Sequence, residues 1–190
     1  MRRTLKILLV LVVGTALGLF ADWATVVRGT MAGNVSSGPW RTSLLTGSRE
    51  GGPYLRAHIA VHGLLALGRE ETMYYTAASD SEGEALDGRC TYLIEGRDPP
   101  TRWWSITAYG GDDFLIQNTA DRHSATMNSV ARRAEGTFAI RLSQAQAEGN
   151  WIPVTAASFN VTIRLYNPQG TVVADPAGVQ LPAIRRESCN

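Results

Sequence analysis

Lysine is nearly missing from this chain: Lys6 is the only one, and it sits in the cationic N-terminal tip. Whatever folds beyond that tip has no amine for Schiff-base or lysine-base chemistry. Histidine is scarce as well, with His58, His62 and His123 making up all 3. There is no G-x-S-x-G elbow for a serine nucleophile, and His123 is the sole histidine of the β-rich region, so a Ser–His–acid triad has little to draw on. Cysteine is limited to Cys90 and Cys189, which fit no zinc spacing. Basic charge is also short. Without Arg2, Arg3 and Lys6 the 18 cations fall to 15 against 17 anions, a net charge near −2. No basic patch dominates, which argues against nucleic acid as a partner. No cofactor is implied, and neither an internal repeat nor a low-complexity tract is present.

What is present begins with Met1-Arg2-Arg3-Thr4-Leu5-Lys6, followed by an apolar run from Ile7 to Ala21. Cations ahead of an apolar segment orient it with its N-terminus in the cytoplasm. The run is about 15 residues, shorter than the roughly 20 that span a bilayer comfortably, and the length also suits a secretory signal peptide. The only small-residue cleavage pattern, Ala16-Leu17-Gly18, lies inside the run rather than after it, which favours an anchor. Trp23, Val26 and Val27 can extend the helix to the interface, with Arg28 at its outer end. In either case the rest of the chain is exported: the expectation is a bacterial inner-membrane protein with a single pass and a periplasmic domain. In an oxidising compartment two lone thiols usually pair. A Cys90–Cys189 disulfide would pin an otherwise loose C-terminus to a strand, the alternative being a buried Cys90 and a free tail thiol.

Residues 1–27 read as the anchor or signal, 28–52 as a Gly-, Ser- and Thr-rich linker, and 53–190 as one domain. Pro53 at a first helical position, then Tyr54, Leu55, Ile59, Ala60, Gly63, Leu64 and Leu67 at three- and four-residue spacing, predict a helix that stops near Gly68 and packs on a sheet. Strands follow. Met73, Tyr75 and Ala77 alternate with Thr72, Tyr74 and Thr76; Arg89–Glu95 and Arg102–Tyr109 come next. Gly110-Gly111-Asp112-Asp113 turns into Phe114-Leu115-Ile116, and Thr137–Ser143 is a further strand. The last alternates most cleanly: Phe159, Val161, Ile163 and Leu165 on one face, Asn160, Thr162, Arg164 and Tyr166 on the other. Short strands at regular spacing with turn signals predict a mainly β fold, an antiparallel, jelly-roll-like β-sandwich with one packed helix behind the N-terminal transmembrane helix.

The order of blocks is specific. Asp98-Pro99-Pro100, Trp103-Trp104-Ser105-Ile106-Thr107-Ala108-Tyr109, Phe114-Leu115-Ile116, Asn118, Arg122, Asn150-Trp151-Ile152-Pro153 and Phe159–Pro168 resemble the domain of unknown function 1214 over about residues 70–185. In longer proteins that domain stands behind the domain of unknown function 1254; this chain resembles the short, membrane-anchored, single-domain branch. The resemblance implies a jelly-roll-like sandwich and no established activity, cofactor or catalytic set. His123 stands where tyrosine is expected in many members.

Each candidate site residue also has a plainer role open to it. His58 and His62 lie four apart on the expected helix, but Ile59 occupies the place where a zinc protease needs glutamate. Asp112-Asp113 reads as a solvated turn. The richer set is polar and aromatic: Arg102, Trp104, Tyr109, Asn118, Arg122, Asn150, Trp151, Asn160, Arg164 and Tyr166. Aromatic faces with amide and guanidinium groups suit sugars or anions such as carboxylate and phosphate. The plainer account makes Trp103, Trp104 and Trp151 core and the arginines ties between strands and loops. The expected function is a membrane-anchored binding or accessory module for a glycan, an anionic group or a partner protein. The alternative is a hydrolase with an acid/base pair drawn from Asp112, Asp113, Asp121, His123 and Glu148.

Overall fold

The computed structural model describes residues 2–28, 34–61 and 66–189. The chain divides into two compact units. One holds the N-terminal helix and residues 45–66; the other holds a hairpin within 33–44 and everything from Leu67 onward.

The first unit starts with α1 (Arg2–Arg28), whose Arg2–Val26 stretch of 25 residues is long and apolar enough to cross a membrane. At about 1.5 Å per residue it exceeds a hydrocarbon core of about 30 Å. The apolar run of the sequence underestimates this helix, because Asp22 and Thr25 do not interrupt it. Thr25 Oγ1 returns its proton to the Ala21 carbonyl, one turn back. The second helix, α2 (Pro53–Val61), begins at Pro53 as expected. Its only buried residue is Leu55. Within its unit it meets α1, through Tyr54 Oη donating to Asp22 Oδ1 (3.0 Å) and His58 Nδ1 bonding the Val26 carbonyl oxygen (2.8 Å). His62, Gly63 and Leu64 lie outside the described residues, so the paired-histidine motif has no geometry here.

The second unit is a two-sheet sandwich. Its strands are β1 (Asn34–Ser37), β2 (Trp40–Ser43), β3 (Thr72–Ala77), β4 (Cys90–Gly96), β5 (Thr101–Gly110), β6 (Ser124–Thr126), β7 (Phe138–Ser143), β8 (Trp151–Pro153), β9 (Phe159–Pro168) and β10 (Ala183–Cys189), with a short α3 (Gly170–Ala174) after β9. The larger sheet runs β1-β2-β3-β9-β5-β6 and the smaller β10-β4-β7-β8. All pairs are antiparallel except β7 with β8, a departure from the uniformly antiparallel expectation.

Alternation decides which face is inside. Phe159, Val161, Ile163 and Leu165 of β9 are buried, as are Met73, Tyr75 and Ala77 of β3. Across the gap, Tyr92, Ile94, Phe138, Ile140 and Leu142 of the smaller sheet complete the core. Trp104 of β5 stacks on Phe138 of β7 with centroids 4.7 Å apart, and Tyr92 meets Phe159 edge-on at 5.8 Å. At about 25 cal/mol per Å² of apolar surface, such aromatic pairs between sheets rank among the larger contributions to the fold.

Three segments differ from the sequence reading. The expected linker contains the β1–β2 hairpin, which extends the larger sheet through Arg41 opposite Thr76. Trp40 anchors it at 1% exposure, its indole donating to the Pro182 carbonyl at 2.7 Å. Phe114–Ile116 is no strand, only a single bridge between Tyr109 and Leu115. The C-terminus is itself a strand: β10 pairs along β4 with Cys189 opposite Cys90, and the expected disulfide joins the two.

Candidate functional site

The outer face of the larger sheet carries the polar row that β9 announces. Because side chains alternate and the register is fixed, residues of four strands line up across it. Tyr74, Arg164, Ser105 and Thr126 form one row, and Thr76, Thr162, Thr107 and Ser124 the next. Tyr109 stands opposite Asn160, and Tyr166 opposite Trp103.

Arg164 occupies the middle. Its Nη2 donates to Tyr109 Oη at 2.6 Å and its Nη1 to Thr107 Oγ1 at 3.4 Å. The guanidinium lies 5.4 Å from the Tyr109 ring centroid and 5.9 Å from that of Tyr74. Two phenol rings thus flank a half-buried cation, an arrangement that holds it electrostatically. Among the described residues its partners are hydroxyls and rings, and no carboxylate neutralises it. Around it, Thr76 and Thr162 share a hydrogen bond at 2.9 Å, and Trp103 packs on Tyr166 at 5.1 Å. Thr72, opposite Tyr166 and 1% exposed, has a buried Oγ1 with no hydrogen-bond partner. Such orphan hydroxyls are uncommon in a native fold.

Of the ten residues singled out by sequence, this face gathers Tyr109, Asn160, Arg164 and Tyr166. Trp104 is not a wall of it: the residue is 0% exposed and points into the core, its indole donating to Asp98 Oδ1 at 2.8 Å. Its odd-numbered neighbours face out and it faces in, so the core role fits Trp104 but not Trp103, which lies on the outer face. Arg102 is exposed at the start of β5, on the alternation opposite to Arg164's.

Asn118, Arg122, Asn150 and Trp151 belong to loops and the smaller sheet. The Asn150 amide holds Ala131 through both its N–H and carbonyl and also donates to the Ala139 carbonyl. Asn118 ties its own loop, donating to the Ile116 and Arg122 carbonyls and accepting from the Arg122 N–H. Arg122 lies 5.7 Å over the buried Trp151 ring and reaches the Gly149 carbonyl at 3.4 Å. These four form one local cluster. The residues that sequence reasoning missed are Tyr74, Thr107 and Trp103. Tyr74 and Thr107 alternate outward on strands already recognised, so pairing β3 and β5 on either side of β9 would have found them.

The acids of the hydrolase alternative fall on three turns or loops: Asp112-Asp113, Asp121 beside His123, and Glu148. Asp112 Oδ1 caps the Phe114 N–H, and Asp113 holds a left-handed backbone, φ 65°. Asp121 exposes 99% of its side chain and lies 3.3 Å from His123 Nε2. Glu148 is exposed in the β7–β8 loop.

A two-sheet sandwich with a polar outer face, in a chain that also carries an N-terminal apolar helix, defines the class of the molecule. The chain belongs to the family described as protein of unknown function (DUF1214), whose model matches residues 71–170. No curated protein matches it. Among solved structures it is similar to the VPA0106 protein from Vibrio parahaemolyticus, with a TM-score of 0.62 and 23% identity. That likeness, which concerns fold alone, covers 93% of this chain and 44% of that one, so this chain spans less than half the length of its relative. An uncharacterized protein from Burkholderia cenocepacia aligns at TM-score 0.45 and 18% identity, over 63% of this chain and 30% of that one.

Proposed function

We propose that this is a membrane-anchored, exported module of the bacterial cell envelope that binds an anionic or sugar-bearing ligand on the outer face of its larger sheet. The observation that carries the reading is Arg164, held between Tyr74 and Tyr109 with hydroxyls rather than a carboxylate as its hydrogen-bond partners among the described residues. A guanidinium fixed in this way is preorganised for a planar anion, and flanking rings suit the apolar faces of a sugar. Asn160 and the Thr76–Thr162 pair add neutral hydrogen-bonding groups beside it. The basic N-terminal end of α1 favours the cytoplasm, which leaves the sandwich on the periplasmic side of the inner membrane. For the hydrolase alternative the geometry offers one carboxylate–imidazole pair, Asp121 with His123 at 3.3 Å, with the Asp121 side chain 99% exposed.

Titration calorimetry of the full chain in mild detergent against glucuronate, glucose and inorganic phosphate tests the reading. Glucuronate or phosphate is expected to bind, and Arg164→Ala to weaken that binding by roughly 10- to 100-fold, the worth of one charge-assisted hydrogen bond. Tyr109→Phe should give a smaller loss. Equal binding by wild type and Arg164→Ala would refute the role of this face.

A further inference from the structure

The unit that contains the membrane helix carries its own cavity, separate in composition from the sheet face. It measures about 280 Å³ and is lined by Leu45, Ser48, Leu55, Arg56, Ile59 and Ala66, among others. That volume is near the lower end for small-ligand sites, about 300 Å³.

The sequence of α2 explains why the cavity forms where it does. Residues four apart share a helix face, so Tyr54 and His58 lie on one stripe and Leu55 and Ile59 on another. The first stripe holds α1 through Asp22 and the Val26 carbonyl. The second stripe faces the cavity. The opposite wall is the loop 45–52, drawn tight at Gly51. A Cβ there would come within 3.2 Å of Leu55 Cδ2 and 3.3 Å of the Leu45 carbonyl oxygen.

Arg56 closes the rim. Its Nε donates to the Gly51 carbonyl (3.1 Å) and its Nη2 to the Arg49 carbonyl (3.2 Å), so two backbone oxygens orient the guanidinium. No carboxylate neutralises it among the described residues. Arg49 also lines the cavity, and Glu50 between them is exposed, leaving the rim cationic. Ser48 contributes a buried Oγ without a hydrogen-bond partner. Apolar walls under a cationic rim describe an amphiphile with a negative head.

Position names the class of amphiphile. Asp22 and Val26 are in the last turns of the 25-residue span, so α2 docks at the end of α1 remote from Arg2 and Arg3. Trp23 (57% exposed) and Tyr54 (47% exposed) are nearby, and exposed aromatics of this kind settle at head-group level. We infer that the 45–52 loop and α2 form a site for an anionic phospholipid of the outer leaflet. Its phosphodiester meets Arg56 and Arg49, and an acyl segment lies against Leu45, Leu55 and Ile59. The inference goes beyond the sheet-face reading and does not depend on it.

The test is native mass spectrometry of the full chain released from mixed vesicles of phosphatidylglycerol and phosphatidylcholine. The cations Arg2, Arg3 and Lys6 also attract anionic lipid, so the decisive quantity is the change on Arg56→Gln, with Arg3→Gln as the comparison. Wild type and Arg3→Gln should retain phosphatidylglycerol selectively. Arg56→Gln should lose about 10-fold in retention, and Ile59→Trp, which fills the cavity, should lose retention while keeping the charge. Undiminished retention by Arg56→Gln overturns the proposal, as does equal retention of the two lipids by wild type. Displacement of the lipid by millimolar inorganic phosphate overturns the phospholipid in favour of free phosphate. Should Ile59→Trp fail to fold, Arg56→Gln decides alone.

Discussion

Removing the disulfide should cost this protein several kcal/mol even though β10 keeps nearly all its native contacts. Cys90 and Cys189 are 99 residues apart, and closing a loop of that size removes entropy from the unfolded chain worth up to about 4.7 kcal/mol. The folded state loses little, because β10 is held in other ways. Ile184 is 0% exposed, its N–H donates to Ser81 Oγ (2.9 Å) and its carbonyl accepts from the Ser81 N–H (2.8 Å). Arg186 pairs with the buried Asp80 at 3.2 Å, Arg141 with Glu187 at 2.8 Å, and Arg185 with Glu95. The double variant Cys90→Ala/Cys189→Ala should therefore fold with β10 in place and melt about 10–20 °C lower, taking 3–5 kcal/mol and a few degrees per kcal/mol for a domain of this size. The assay is thermal unfolding of the full chain in mild detergent, followed by near-ultraviolet circular dichroism of the tryptophans. Reducing the wild type with a thiol reagent should reproduce the shift. Amide exchange of β10 separates the two possible mechanisms. A melting point lowered by under about 3 °C, with β10 amides exchanging freely, would show the strand to be a detachable flap and refute the entropic account.

Trp104→Ala should destabilise the sandwich by about 3–5 kcal/mol through loss of the Phe138 stack and the cavity left behind, read by urea unfolding. Gly88→Ala should cost about 1–3 kcal/mol in the same assay, because the added Cβ would meet the Ala156 carbonyl oxygen at 2.0 Å, and backbone cannot swing away. Burial pushes the Tyr75 phenol up to about 12, with Asp175 adding to it, and its Oη donates to the Pro176 carbonyl. Since the unfolded phenol ionises near 10, stability is intact below that pH and falls between pH 10 and 12, by up to about 3 kcal/mol. Tyr75→Phe should abolish that alkaline slope in a pH series of melting curves while costing about 1 kcal/mol at neutral pH. At the acid end, hydrogen bonds from Arg89 hold the half-buried Asp87 carboxyl down to about 2. Its small contribution is present above pH 4 and fades towards pH 2, and Arg89→Ala should remove that dependence.

Where local pattern and burial coincide, the sequence was decisive on its own. The alternation of β9 and β3 named the inward residues correctly, since a period of two leaves a strand only one choice once one face is apolar. The basic tip and apolar run announced α1, and the blocks from Asp98 to Pro168 announced the family. The polar residues of β9 were legible too, because Arg164 cannot enter a core that Ile163 and Leu165 fill.

Tertiary structure decided what short, polar or distant segments do. The β1–β2 hairpin hides in a Gly- and Ser-rich stretch, since Trp40 is its one buried apolar residue and its partner Pro182 lies 142 residues away. Strand β10 reads Arg185-Arg186-Glu187, an edge sequence with one apolar anchor, and exists because β4, Asp80 and the disulfide hold it. Periodicity gives α2 its apolar stripe but not the element that meets it; that α1 receives Tyr54 and His58 is a tertiary fact. The ten candidate residues were sorted the same way. Only the pairing of β3 and β5 on either side of β9 could bring Tyr74 and Tyr109 to Arg164, and only the phase of β5 could send Trp104 inward. Non-local pairing is set by the whole chain burying its apolar faces at once, so no window of sequence contains it.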